Sequence, residues 1–345
     1  EVRNYRPITL LQGAYKIYTR VLTRRLKKVV HQFVSGAQKG FVPDTFIADC
    51  TMLMHLVEAY VNEDTPESRH GIMLFLDMEK AFDKCSWDFM LEGMQHLGFG
   101  ARFVNMIKLM YNKDKPPRRR IYANGYYSDW FEIQSGVAQG CPCSPLLFLI
   151  IAQGLVAALE HHNVEGIKVG KTRHLLSQFA DDTTLLLRNY SELTRANAAI
   201  KMWCAATAMR ENAKKREGLA MGNFRGSSVP PEHKSIKWAK EGEWVISLGV
   251  PVGNDLDQSA FWRRKLQGTR DKANRWAGLY HSGYYGRNLI IQAMFFGRLR
   301  YWLYSLLMDK HISAEVQADA DRLWWSRDPV LDGNRVRVRR FVAKD

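Results

Sequence analysis

Asp77 closes the apolar run Gly71-Ile-Met-Leu-Phe-Leu76, and Asp181-Asp182 interrupts a second apolar stretch, Leu175 to Arg188. Neighbouring carboxylates repel one another, and packing them into a strand-rich core is costly unless a cation neutralises them. Hard oxygen donors with room left for phosphate groups favour Mg²⁺. Two such ions about 3.5–4 Å apart activate an attacking hydroxyl and stabilise the leaving oxygen of an in-line phosphoryl displacement. Taken alone, an Asp-Asp pair reads as an ordinary acidic turn, so its meaning depends on the elements that carry it.

Those elements are legible in the hydrophobic pattern. The run 71–76 has the continuous apolar character of a buried strand, which delivers Asp77 at its end. Leu175 to Arg188, apolar on both sides of Asp181-Asp182, predicts two strands meeting at a tight acidic turn. Ile121 to Ile133 predicts a hairpin, because Asn124-Gly125 supplies the positive φ angles of a type I′ turn. Helices are predicted over about 47–61, 87–97 and 191–209 from their spacing of apolar residues. The polar stretch 62–70 is a predicted surface loop. A Gly-rich turn over 136–140 leads into a helix opened by Pro145. Its apolar stretch, Leu146 to Leu159, is broken by Gln153-Gly154 and falls short of the roughly 18 residues of a membrane span, which predicts a buried helix. A short β pattern at 244–252, closed by Gly253-Asn254, marks a boundary, and 261–308 is predicted helical.

The chain has 345 residues, 46% hydrophobic and 25% charged, too apolar for a disordered tail and long enough for about two compact units. Fifty Lys and Arg against 35 Asp and Glu leave +15, which points to a polyanionic partner, nucleic acid rather than a membrane surface. The excess is concentrated: residues 2–43 hold nine basic residues, Arg3 and Arg6 among them, and no acid. Residues 261–310 hold ten against Asp271 and Asp309. Within the first segment Tyr15, Tyr18, Val21, Leu22 and Leu26 follow helical spacing, so one stripe is buried and Arg24 and Arg25 are left for phosphates. Arg335 to Arg340 reads as a basic strand or a frayed tail. Five cysteines without paired C-x-x-C spacing fit a reducing intracellular compartment, nucleus and cytoplasm, and Cys141, Cys143 and His161-His162 do not make a zinc site. The opening at Glu1, without a leader, reads as a piece of a longer protein.

Phe179-Ala-Asp-Asp182 follows Leu76-Asp-Met-Glu-Lys-Ala-Phe-Asp83 and Gly136-Val-Ala-Gln-Gly-Cys-Pro-Cys-Ser-Pro145. Together with Arg3-Asn-Tyr-Arg-Pro-Ile-Thr-Leu-Leu11, Tyr15-Lys-Ile-Tyr18 and Gln38-Lys-Gly-Phe41, these blocks resemble, in order and spacing over about 3–253, reverse transcriptases of the non-LTR, LINE-type retrotransposons. The resemblance implies an α+β right-hand polymerase. Fingers would span 1–70, a palm with an antiparallel sheet and remaining fingers segments 71–253, and a helical thumb with a C-terminal extension 254–345.

The resemblance makes Asp77 and Asp181 the principal ligands of two Mg²⁺ ions, with Mn²⁺ as a substitute. Asp182 is an additional ligand or electrostatic support, and the Met78 carbonyl a further donor. Phe82, five residues after Asp77, matches the steric gate whose ring excludes a ribose 2′-hydroxyl and so selects dNTPs. Gln139-Gly140 matches a nucleotide and template contact. Asn212-Ala-Lys-Lys215 matches a block whose lysine neutralises or protonates departing pyrophosphate; Lys215 takes that role, with a plain surface lysine as the alternative. Ser247-Leu248-Gly249 resembles the turn of a primer-grip hairpin, with Ser where Tyr is common. Cys143 replaces a usual Leu, and Thr45 stands where many relatives carry Arg, leaving Lys39 or the first helix to meet the nucleotide phosphates. Asp83 is read as structural, and Tyr5 and Phe41 as packing.

The expected reaction is extension of a DNA primer 3′-hydroxyl with dNTPs on an RNA template, within a retrotransposon polyprotein and without a membrane partner. A degenerate remnant that binds RNA without catalysis is one rival. An RNA-dependent RNA polymerase is another, against which Phe82 and Phe-Ala-Asp-Asp weigh.

Overall fold

A computed structural model describes residues 7–63, 69–277 and 283–325. The expectations for Arg3, Tyr5, Arg6 and Arg335 to Arg340 lie outside the described residues. The chain divides into two units, residues 1–241 and 242–345. In the first, α1 (Gly13–Lys27), α2 (Val30–Phe33) and α3 (Ile47–Asn62) precede β1 (His70–Leu76). Helices α4 (Ala81–Lys84), α5 (Trp87–His96) and α6 (Ala101–Lys108) follow. A ribbon comes next, made of β2 (Arg118–Arg119), β3 (Tyr122–Ala123), β4 (Tyr126–Tyr127) and β5 (Phe131–Glu132). Then come α7 (Ser144–His161), β6 (Ile167–Val169), β7 (Thr172–His174), β8 (Leu176–Phe179), β9 (Asp182–Leu187), α8 (Tyr190–Thr207), β10 (Glu217–Gly222) and β11 (Lys237–Trp238).

The mixed helix and sheet architecture is the one expected. Five strands form one sheet in the order β11-β10-β1-β9-β8, antiparallel except between β10 and β11. β1 lies in the middle, flanked by β9 and β10, which is why its residues 71–76 are apolar throughout and buried. The 121–133 hairpin turns at Asn124 (φ 49°) and Gly125 (φ 87°), the left-handed pair that a type I′ turn demands.

Helix α7 runs 18 residues, longer than the apolar stretch suggested, with Pro145 in its first turn. By length and composition it is apolar enough to cross a membrane, yet most of it is buried. It is the core helix of the first unit, packed against α1, α2, α5 and α8. On α1, Leu22 and Leu26 are buried as the spacing required, whereas Val21 is 53% exposed. The buried stripe passes through Thr19 instead, whose hydroxyl bonds back to the Tyr15 carbonyl at 3.0 Å.

The second unit opens with a hairpin, β12 (Val245–Ser247) and β13 (Val250–Val252), so this hairpin lies beyond the division at residue 241. Helices α9 (Gln258–Ala277), α10 (Tyr284–Leu289), α11 (Gly297–Leu303) and α12 (Lys310–Trp325) follow, with a π-helical turn over Ile290–Phe296 joining α10 to α11. Phe261, Trp262, Leu266, Phe295 and Leu299 form its core. A buried Arg270 binds Asp319 at 2.7 Å and Glu315 at 3.1 Å, tying α9 to α12.

Candidate active site

Asp77 leaves the central strand at its C-terminal end. β1 and β9 pair Leu76 with Thr183, and the next step of that register sets Asp77 opposite Asp182. β8 and β9 pair Phe179 with Asp182, which leaves Ala180 and Asp181 as a two-residue turn beside Asp77. On the other side of Asp77, Asn212 N–H donates to the Asp77 carbonyl at 2.8 Å and Glu79 N–H to the Arg210 carbonyl at 2.8 Å. Met78 and Glu211 face each other as a bridge between those bonds. Alternation in an antiparallel ladder then turns the Met78 carbonyl toward the Asp181 side. The register thus brings Asp77 and Asp182 to one strand end, with Asp181 in the adjoining turn.

The turn that carries Asp181 is held by a residue assigned no role of its own from the sequence. Gln38, 3% exposed, accepts from Ala180 N–H at 2.8 Å and from Gly40 N–H at 2.7 Å, and donates to the Ala180 carbonyl at 3.1 Å. Ala180 needs that hold, because its φ of 59° is left-handed and costs a non-glycine residue about 1 kcal/mol. Residues 37–39 also bond along the edge of β8, with Gln178 N–H donating to the Ala37 carbonyl at 3.0 Å and Lys39 N–H to the Gln178 carbonyl at 2.8 Å. A Cβ at Gly40 would lie 2.2 Å from the Ala180 nitrogen, so the close approach needs glycine. The Gln38-Lys-Gly-Phe41 block was the available signal.

Lys215, expected to meet departing pyrophosphate, is paired with the Asp77 carboxylate. Its Nζ lies 3.2 Å from Asp77 Oδ2, and Asn212 Nδ2 donates to the same oxygen at 3.2 Å. Both come from the 210–216 segment, braced by Arg216. Its Nε donates to Glu211 Oε1 at 2.5 Å, its Nη2 to Glu211 Oε2, and its Nη1 to Asn197 at 2.8 Å. Three mutually repelling carboxylates do not draw together here: among the described residues no three His, Cys, Asp or Glu side chains form a ready metal cluster. The positive charge on Asp77 is the Lys215 ammonium. Asp77 thus offers a hard oxygen donor of the type a divalent ion takes, with Asp182 opposite it in the ladder.

Phe82 sits in α4, half-buried, stacked on Phe148 of α7 with centroids 4.5 Å apart and 17° between planes. Phe41 meets it edge-on at 6.1 Å. Phe41 is 42% exposed with φ 63°, so it packs on one side and faces solvent on the other. Gln139 Nε2 donates to Asp83 Oδ1 at 3.2 Å. The close approach that Gly140 permits is to the chain itself: with φ 108°, its missing Cβ makes room for the Thr9 carbonyl, and Thr9 N–H donates to the Gln139 carbonyl at 2.7 Å.

Arg24 and Arg25 are exposed in the last turn of α1, with the Arg25 guanidinium 5.2 Å from the centre of the Phe103 ring. Thr45 is a local clamp, its hydroxyl bonding the carbonyls of Lys39 at 2.5 Å and Val42 at 2.8 Å. Cys143 is wholly buried, and burial pushes its thiol up to about 12. In the second unit Leu248 (φ 50°) and Gly249 (φ 77°) form the turn of the β12–β13 hairpin. The Tyr301 hydroxyl donates to the Leu248 carbonyl, and Trp302 Nε1 to the Gly249 carbonyl at 3.1 Å. The turn is thereby fixed from α11.

Several known proteins resemble this chain. The uncharacterized 149 kDa protein of transposon TX1 from Xenopus laevis is 27% identical over 342 residues, 96% of this chain and 25% of its own length. A retrovirus-related Pol polyprotein from type-1 retrotransposable element R2 of Popillia japonica is 28% identical over 228 residues, 66% and 31% of the two lengths. The RNA-directed DNA polymerase from mobile element jockey of Drosophila melanogaster is 25% identical over 292 residues, 81% and 30%. The chain spans about a quarter to a third of the length of these relatives. Among solved structures, telomerase from Candida albicans with a TWJ fragment of telomeric RNA is similar at a TM-score of 0.46 and 11% identity, over 89% of this chain and 52% of that one. Residues 1–250 match the family of reverse transcriptase (RNA-dependent DNA polymerase), a span that takes in Asp77, the Ala180 turn and Lys215 alike, and the chain belongs to that family.

Proposed function

We propose that this chain extends the 3′-hydroxyl of a DNA primer with dNTPs on an RNA template, as the polymerase portion of a retrotransposon protein. The observation that carries the reading is the strand-end grouping of Asp77 with Asp181-Asp182, where Asp77 already holds an ammonium 3.2 Å away. Asp77, Asp181 and the Met78 carbonyl would hold two Mg²⁺ ions, or Mn²⁺ in their place, with Asp182 as a further ligand or support. Bound there, the ions supply hydroxyl activation and stabilisation of the leaving oxygen. Lys215 would move from Asp77 to the departing pyrophosphate and give it a proton. Phe82 would lie against the sugar of the incoming nucleotide, where an apolar ring both clashes with a 2′-hydroxyl and leaves it unpaired. Gln139 and Gly140 would border that nucleotide. Arg24 and Arg25, with the basic helices of the second unit and the Leu248-Gly249 turn, would hold template and primer through their phosphates.

Primer extension on an RNA template with dNTPs and Mg²⁺ tests the reading, with Asp77→Asn and Asp181→Asn as controls. Extension by the native chain and its loss in both variants, with template–primer binding kept, is the expected result. Asp77→Asn leaves the backbone bond from Asn212 to the residue 77 carbonyl in place. Extension by either variant at the native rate would refute the ligand assignment, and a native chain that binds template–primer without extending it would favour the RNA-binding remnant.

A further inference from the structure

The ribbon between Arg118 and Glu132 has no part in the site above. β2 pairs with β5 and β3 with β4 around the Asn124-Gly125 turn. Tyr122, Tyr126, Tyr127 and Trp130 are all more than half exposed. Apolar surface gathered on a two-stranded ribbon is costly to leave in water and marks a place of contact. The rings are also ordered. Tyr122 and Tyr127 lie directly opposite in the ladder with centroids 4.8 Å apart, and the Arg120 guanidinium stands 3.8 Å from the Tyr127 centroid and 4.9 Å from that of Trp130. Three rings and the Arg120 guanidinium thus cluster on one stretch of the ribbon. Arg118 and Arg119 occupy the next ladder step, where Arg118 is in register with Glu132. Arg118, Arg119 and Arg120 outnumber the acids of the ribbon, Asp129 and Glu132.

We infer that this ribbon is a docking platform for single-stranded RNA. Unpaired bases stack on Tyr122, Tyr127 and Trp130, and the arginine edges left free by stacking meet the phosphates between them. A duplex hides its base faces and does not fit. Tyrosine hydroxyls give ribose 2′-hydroxyls partners that DNA lacks. The choice of RNA over DNA rests on the proposed use of an RNA template; the stacking surface itself rests on the ribbon alone. The ribbon continues through Ile133 into the turn of Gly136 to Gly140, so a strand held on it is held by the same unit as Asp77.

The test is binding of a short, unstructured, fluorescein-labelled RNA to the full chain, read by anisotropy. Replacing Tyr122, Tyr127 and Trp130 together by Ala should weaken binding about a hundredfold or more, three base–aromatic stacking contacts being lost at once. Replacing the same three by Phe should keep single-strand affinity while narrowing the preference for RNA over DNA of the same sequence. That second variant keeps the test decisive where the first fails to fold. A 4-thiouridine RNA should crosslink to the peptide 121–133. Unchanged affinity in the folded Ala variant, lost affinity in the Phe variant, or crosslinks confined to other peptides would each overturn the platform. DNA bound as tightly as RNA by the native chain would overturn the assignment to RNA. The measurement is independent of catalysis: a chain that fails to extend primers yet loses RNA affinity in the Ala variant refutes the polymerase reading and supports the platform.

Discussion

The side-chain amide of Gln38 grips Ala180 by both polar groups of its backbone, accepting from its N–H at 2.8 Å and donating to its carbonyl at 3.1 Å. A residue on the edge of β8, far away in sequence, thereby sets the turn that presents Asp181. Gln38→Ala leaves buried Ala180 and Gly40 groups without partners, at about 1–3 kcal/mol for each group left unsatisfied. The expected outcome is a lower melting temperature together with a fall in kcat for primer extension, at unchanged template–primer affinity. Gln38→Glu keeps the two acceptor bonds, turns the third into a repulsion and adds a carboxylate beside the site, so it should lower kcat further than its stability loss explains. Full kcat in either folded variant would remove Gln38 from the positioning of Asp181.

The Lys215–Asp77 pair answers a different question, how the carboxylate is kept in place. Lys215 is 65% exposed on its side chain, and such pairs contribute within ~1 kcal/mol, so Lys215→Ala should leave the melting temperature almost unmoved. Loss of a general acid lowers a rate by roughly 10²–10⁴-fold, and that is the expected drop in single-turnover extension. With the ammonium gone from Asp77 Oδ2, half-maximal rate should come at a lower Mg²⁺ concentration. A variant with native rate and native Mg²⁺ dependence would return Lys215 to the status of a surface lysine.

What the sequence made legible was whatever local pattern dictates. A short apolar run ending at an acidic residue reads as a strand buried on both faces, which placed Asp77, and Asn124-Gly125 admits little besides a type I′ turn. Gln38 escaped because the partners of a buried polar group are fixed by tertiary packing: its bond to Ala180 spans 142 positions and leaves no periodicity to read. Gly140 was legible as a place of close approach, but its partner, the Thr9 carbonyl, was not. Val21 was assigned to the buried stripe on spacing alone, whereas Thr19, satisfied by its own helix carbonyl, could be buried at no cost in unpaired groups.

Burial of thiols gives a prediction in pH. Burial pushes Cys85 and Cys143 up to about 12 from the ordinary 9.0. Above about pH 9 the unfolded chain releases thiol protons that the folded chain keeps, so stability present below that pH is lost as pH rises toward the folded values, by about 1.4 kcal/mol per unit for each thiol. Urea unfolding between about pH 8 and pH 10 should show this decline, and Cys143→Ala should make it shallower by one thiol's share while lowering stability at neutral pH. An identical slope in the variant would show that Cys143 does not keep its proton in the fold.

Phe82 is fixed on one side by stacking on Phe148, 4.5 Å away, and on another by the edge of Phe41 at 6.1 Å. A ring so held cannot swing aside for a larger sugar, which is the mechanical requirement of a gate. Phe82→Ala removes both contacts, and since the ring is only half-buried the cost should fall below the roughly 3–5 kcal/mol of a full core truncation. The informative quantity is therefore the ratio of kcat/KM for a dNTP over the matching rNTP, which compares two transition states on one protein and cancels any general loss of stability. That ratio should fall by at least tenfold, while dNTP use declines only modestly, because Asp77, Asp181 and Lys215 are untouched. Phe82→Tyr, which keeps the stack on Phe148, should retain most of the discrimination. If the ratio in folded Phe82→Ala equals that of the native chain, Phe82 is a packing residue between Phe41 and Phe148, and the choice of sugar has to be sought elsewhere.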